Sequence, residues 1–166
     1  HDALSGVDRT WWRLDGGAVH EGAIASTTAP GAHTLQVWSR DKAGNTEATQ
    51  TTTFSVRRTT AITGLTAPST TTYPSPALIA WSLTGSGAPL GGIPVRLERS
   101  LDGGVTWSRV ATVTSPSGAY SYAVAPSQTA TYRVRFGGDS QNRAVTSSQL
   151  RMKVAPNMTP PTVPGR

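Results

Sequence analysis

The chain has no cysteine among its 166 residues, which excludes a disulfide framework, a thiolate metal site and a thiol nucleophile. It does not exclude secretion, because β-domains of this size fold on a hydrophobic core alone. Apolar residues reach only 36%, below the roughly 45–50% of an average globular domain. No stretch approaches the ~20 consecutive apolar residues a membrane helix needs, so membrane insertion is not expected. Lysine is nearly missing, with only Lys42 and Lys153. Helical periodicity is absent, and with it any glycine-rich phosphate loop opening a helix.

Thr, Ser, Gly and Pro fill the space left by apolar residues, and these suit strand surfaces and turns. Alternation with a period of two recurs, bounded by Gly, Pro, Asn and Asp. The first stretch is Val7 to Leu14, closed by the hairpin signal Asp15-Gly16-Gly17. Short segments near Ala18–Glu21 and Ala23–Thr27 follow, then a clear strand from His33 to Ser39. The tight turn Asp41-Lys42-Ala43-Gly44-Asn45 leads into a Thr-rich strand, Thr46 to Val56. Seven further strands are expected at Thr60–Leu65, Ala77–Thr84, Ile93–Ser100, Val105–Thr114, Ala119–Ala125, Thr129–Phe136 and Ala144–Val154. The expected organisation is all-β: an incomplete sandwich over 1–57, a full antiparallel sandwich over 58–155, and a tail or linker over 156–166. Pro156 is the first of four prolines that bar the tail from an internal strand. The chain starts at His1 rather than Met and reads as a mature or excised piece of a longer protein.

In the second unit the alternation names a core. Ile79, Trp81 and Leu83 share one strand face, Val95 and Leu97 another, and Tyr132, Val134 and Phe136 a third. The opposite faces carry Arg96 and Glu98, and Arg133 and Arg135. If the two strands pair, the three arginines form one basic stripe.

Two sets of motifs carry a family resemblance. The first unit holds, in order, Asp2-Ala3-Leu4-Ser5-Gly6-Val7, Leu14-Asp15-Gly16-Gly17, Gly31-Ala32-His33-Thr34-Leu35 and Asp41-Lys42-Ala43-Gly44-Asn45-Thr46-Glu47. This resembles bacterial immunoglobulin-like repeats of secreted and surface proteins. The second unit holds Ser100-Leu101-Asp102-Gly103-Gly104-Val105-Thr106-Trp107, Gly118-Ala119-Tyr120-Ser121 and Tyr132-Arg133-Val134-Arg135-Phe136-Gly137-Gly138-Asp139. That is similar to a second bacterial immunoglobulin-like repeat class. Both resemblances imply tandem immunoglobulin-like spacer or stalk modules without catalytic activity. Repeats like the first unit carry one or two strands before the DxxSGV motif, whereas here only His1 precedes it. The first sandwich is therefore expected to lack its opening strands and to expose an edge or an open apolar groove. Either the chain was cut there or a neighbouring chain donates the strand.

Chemistry-bearing constellations are sparse. The Ser100–Trp107 run matches the Asp box of β-propellers, but a propeller needs repeated blades and one copy is present. Asp102, Gly104 and Trp107 are read as a stabilised hairpin. Asp41, Gly44 and Asn45 are read as an Asx-capped turn rather than a calcium loop, which needs several carboxylates. His1, His20 and His33 show no nucleophile and carboxylate partners for a triad, and no facing carboxylate pair is evident. No enzyme activity, metal or cofactor is expected.

The aromatics give the lead to binding. If Trp12, Leu14, Leu35 and Val37 form the core side of two neighbouring strands, then Trp11 and Arg13, with Gln36 and Trp38, face outward. That pair of indoles could stack on sugar rings or anchor a protein. The net charge of +6 favours anionic partners, yet no basic run of the kind used on nucleic acid occurs. The expected function is a structural or assembly module, extracellular or on a bacterial cell surface. Its expected partners are other domains of the same protein and neighbouring copies joined by strand addition. The alternative is an accessory module that binds cell-wall or extracellular polysaccharide through Trp11, Arg13, Gln36, Trp38, Arg96, Arg133 and Arg135.

Overall fold

The computed structural model describes residues 6–156. The Asp2–Ser5 part of the first motif and most of the proline-rich tail lie outside the described residues. By their contacts the residues fall into two units. The first runs to Arg58 and includes Ser140–Asn142; the second holds Thr59–Asp139 and the residues from Arg143 on.

The first unit is a single antiparallel sheet. Its strands are β1 (Val7–Leu14), β2 (His20–Glu21), β3 (Gly31–Asp41) and β4 (Gln50–Val56), in the order β2-β1-β3-β4. Asp15 and Gly16 both take positive φ, 51° and 70°, and the Gly17 amide returns to the Leu14 carbonyl at 2.9 Å. That is the geometry of the tight hairpin turn that Asp-Gly favours. Ala23–Thr27 forms no strand, and Ile24 is 84% exposed. The Thr-rich strand is shorter than expected: Thr46 makes one bridge to Arg40, and the ladder resumes only at Gln50.

The second unit is a two-layer sandwich. Its strands are β5 (Thr60–Thr66), β6 (Thr70–Thr72), β7 (Ala77–Gly85), β8 (Ala88–Pro89), β9 (Pro94–Ser100), β10 (Ser108–Thr114), β11 (Ala119–Val124), β12 (Ala130–Phe136), β13 (Val145–Thr146) and β14 (Leu150–Ala155). One sheet has the order β11-β7-β5, with β8 on β7. The other has the order β10-β9-β12-β14-β6, with β13 on β12 and β6 parallel to β14. The chain passes to the second sheet for β6 and returns for β7, then changes sheet between β8 and β9, between β10 and β11, and between β11 and β12. These crossings define the Greek key of immunoglobulin-like sandwiches, with β10 beside β9 rather than in the opposite sheet.

The core is where the alternation placed it. Ile79, Leu83, Val95, Leu97 and Val134 are fully buried, and Trp81, Tyr132 and Phe136 nearly so. Met152 of β14 joins them. Trp81 stacks on Tyr120 with ring centroids 5.7 Å apart, and the Tyr120 hydroxyl donates to the carbonyls of Leu90 and Ile93. The buried phenol therefore keeps a polar partner, and burial holds its pKa above the usual value.

The two units share a plan. The order β2-β1-β3-β4 repeats β10-β9-β12-β14: a hairpin, then a strand returning beside its first member, then a last strand at that strand's far side. The strand order of the first unit is thus that of one sheet of the second unit's sandwich. In chain order, residues 22–30 fall between β2 and β3 as β11 falls between β10 and β12 in the second unit. That position belongs to the opposing sheet, which the described residues of the first unit do not contain, so Ala23–Thr27 has no ladder to join.

Candidate functional site

Register decides which side chains share a face of the first sheet. Trp12 opposes Val37 and Leu14 opposes Leu35 across β1 and β3, while His33 opposes Phe54 across β3 and β4. Directly opposed residues point to the same side, so these six form one apolar face. It is not sealed: within residues 6–58 only His33 is buried, and Phe54 is 38% exposed. Trp12 stacks on His20 at 4.4 Å, and Phe54 lies 5.3 Å from the His33 ring.

His33 fastens this face to the turn. Its Nδ1 lies 2.8 Å from the Asp15 carboxylate and its Nε2 lies 2.8 Å from the Ala29 carbonyl. Both partners are acceptors, so both ring nitrogens donate and the imidazolium is the form that fits. The Asp15 contact holds the His33 pKa above its ordinary 6.5, and the His33 contact holds Asp15 below its ordinary 3.8. A raised histidine pKa gives stabilisation that is full below 6.5 and lost as pH rises through the raised value. A lowered carboxylate pKa gives stabilisation that is full above 3.8 and lost as pH falls through the lowered value. Thermal melts of the first unit are therefore expected to peak between those two pH values and to decline on the alkaline side. His33→Gln should flatten the alkaline decline; an unchanged profile would remove the pair from the account.

The opposite face carries the expected aromatic pair. Trp11 opposes Trp38, and Arg13 opposes Gln36. Arg13 Nε donates to the Gln36 side-chain carbonyl, and Arg40 sits 5.8 Å from the Trp11 ring centroid. The cations here are already engaged: Arg40 pairs with Asp8 at 2.7 Å and Arg9 with Glu21 at 3.2 Å. The face is a laced ladder of half-buried indoles and neutralised charges rather than an open cationic platform.

In the second unit, β9 and β12 pair, so Arg135 opposes Arg96 and Arg133 opposes Glu98. Arg133 is drawn out of the basic stripe. Its Nε donates to Glu98 at 2.7 Å, and its guanidinium lies 4.0 Å from the Trp107 ring centroid. Arg109 joins the group instead, because β10 pairs with β9 and a bulge lies between Arg109 and Ala111. Arg96, Arg109 and Arg135 line one open basin of about 490 Å³, with Pro94, Thr112 and Asp139 among the other walls. Alternation alone could not find Arg109, since the bulge breaks the period that assigns faces.

The turn residues act locally. Asp102 accepts hydrogen bonds from the Ser100 hydroxyl at 2.6 Å and the Val105 and Thr106 amides at 3.1 and 2.9 Å, and also from the Thr106 hydroxyl. These donors hold its pKa well below the usual carboxylate range. The Gly104 amide donates to Ser100 Oγ, and Trp107 Nε1 donates to the Gly104 carbonyl. Asp41 accepts from both the amide and the side chain of Asn45 at 2.8 Å, with Gly44 at φ 91°. Among the described residues no group of three or more His, Asp or Glu side chains could hold a metal ion.

No family model matches the chain, and no curated protein matches it. Solved structures do. The chain is similar to the fibronectin(III)-like modules of Clostridium thermocellum CbhA, at 15% identity and a TM-score of 0.44, over 94% of this chain and 82% of that one. The D00-D0 domain of intimin matches at 12% identity and a TM-score of 0.39, over 90% and 87%. Chicken CNTN1 FN1-FN3 domains match at 12% and 0.41, over 94% of this chain but 59% of theirs. The all-β, immunoglobulin-like class rests on the strand order of the chain itself. No helix among the described residues is long and apolar enough to cross a membrane.

Proposed function

We propose that the chain is a non-catalytic structural module of an extracellular or cell-surface protein, whose first unit works with β-structure packed on its open face. The observation that carries this reading is the half-sandwich itself. Trp12, Leu14, Leu35, Val37 and Phe54 form an apolar face that matches the sealed core side of β9, β12 and β14 in the second unit. Apolar area of this kind is held from water in a working protein, each large side chain contributing roughly 1.5–3 kcal/mol when covered. The edge strand β4 supports the same reading. It pairs with β3 on one side and with no described strand on the other, and its sequence Gln-Thr-Thr-Thr-Phe-Ser-Val has no charge and no proline to blunt the edge. Strands from the same protein or from a neighbouring copy fit that edge by main-chain pairing.

The test is the mass of the purified chain, by light scattering after size exclusion, together with binding of an apolar-surface dye. The expected result is association beyond the 17.4 kDa monomer with dye binding, both suppressed by Val37→Glu while the second unit stays folded. A single monomeric species that binds no dye would overturn the reading.

A further inference from the structure

The second unit carries a cationic basin that its core does not explain. Arg96 and Arg135 are directly opposed on β9 and β12; on β10, Thr112 faces Arg96, and Arg109, opposite Glu98, lines the same basin. All three are exposed, and none forms an ion pair or hydrogen bond with the described residues. Like charges set directly opposite destabilise a sheet, and arginine cannot relieve the repulsion by losing a proton. Relief is available nearby and is used elsewhere: Glu98 on the same face is committed to Arg133. Asp139 is the one carboxylate in the basin wall.

We propose that this basin binds an acidic polysaccharide, through its carboxylate or sulfate groups. The guanidinium fork matches those planar or trigonal oxygens with paired hydrogen bonds, and Thr112 adds a hydroxyl to the floor. Successive strands lie about 4.8 Å apart, so arginines on three neighbouring strands reach across roughly 10 Å. That breadth suits a length of charged polymer rather than a lone ion. The basin is open, as a polymer requires. Single-stranded nucleic acid fits worse, because it needs exposed aromatic platforms for its bases; Phe136, the aromatic in the wall, is 4% exposed and points into the core. Arg9 and Arg40 of the first unit do not compete for this role, since they already hold carboxylates. The assignment is independent of how the first unit is completed.

The experiment is fluorescence anisotropy with labelled heparin and labelled polygalacturonate, on the whole chain, at about 0.15 M salt, where long-range attraction is screened. Binding of either polymer is expected, and which one binds more tightly distinguishes sulfate from carboxylate recognition. Arg96→Gln with Arg135→Gln should weaken that binding about tenfold or more and flatten its salt dependence. Arg109→Gln, outside the opposed pair, should weaken it by a smaller factor. Arg57→Gln with Lys153→Gln removes the same charge from elsewhere and should change it less than about twofold. The Arg96/Arg135 variant should melt no lower than the parent, since it removes a repulsion. No binding of either polymer, equal losses in the control, or single-stranded DNA that competes as well as the polysaccharide would each overturn the proposal.

Discussion

Trp81→Ala is expected to destabilise the second unit by about 3–5 kcal/mol, the usual loss for a buried large aromatic. The side chain is 2% exposed and lies on the inner face of β7 between Ile79 and Leu83. It stacks on Tyr120, whose hydroxyl ties β11 to the backbone before β9. Removing the indole empties the middle of the core and frees the ring that anchors that tie. A domain of this size has about 5–15 kcal/mol to lose, so the variant should be partly unfolded at physiological temperature. Urea unfolding should show a lower midpoint with an unchanged slope. Trp81→Phe keeps an aromatic face on Tyr120 and should lose about 1–2 kcal/mol. Equal losses for the two variants would show that ring stacking on Tyr120 contributes nothing.

The core of the second unit was legible because a sheet buried on one side enforces a strict period of two. All eight residues picked from alternation on three strands lie inside, at 4% exposure or less. The failures fall where side chains intercept backbone groups. Val105–Trp107 continues the alternation, yet the Val105 and Thr106 amides are taken by Asp102 and leave no donors for a ladder. The expected strand Ala144–Val154 is split into β13 and β14. Ser147 lies between them and bonds Val134 through its backbone amide and its hydroxyl, replacing a regular ladder step. The short strands β6 and β8 have no apolar alternation to announce them.

The candidate sites were legible only to the level of faces. Alternation put Trp11 and Trp38 on one side, and the register sets them opposite each other. It could not show that Arg9 and Arg40 on that side find carboxylates, because Glu21 arrives from a hairpin arm and Asp8 from a bulge between Val7 and Arg9. In the second unit, alternation with an assumed pairing of the two strands placed Arg96, Arg133 and Arg135 together. Cross-strand register separates them, since Arg133 falls opposite Glu98 and Arg135 falls opposite Arg96. Which cations remain unpaired is a property of register, and register is set by contacts distant in sequence.

Gly91→Ala tests the closure of the second sandwich at the end opposite the Asp102 turn. A Cβ at Gly91 would lie 1.9 Å from the Pro116 carbonyl oxygen and 2.6 Å from its carbon. Both atoms are backbone, so no side-chain rotation relieves the clash; one of the two segments must move. The neighbouring hydrogen bonds oppose that movement. The Gly92 amide donates to Ser115 at 2.7 Å, and the Leu90 amide donates to Leu83 at 2.9 Å. The Leu90 carbonyl in turn accepts from Tyr120, so a shift at residue 91 reaches the core aromatic pair. The expected loss is about 3 kcal/mol, the upper part of the overpacking range, read as a lower urea midpoint. Gly137→Ala is the matched control. A Cβ there meets nothing within 4 Å, and its φ lies outside the left-handed region, so the change should stay within about 0.5 kcal/mol. If both variants unfold together, glycine content rather than the Gly91–Pro116 approach governs stability. If Gly91→Ala alone falls, the sandwich is closed by two loop backbones that touch with no room for a side chain.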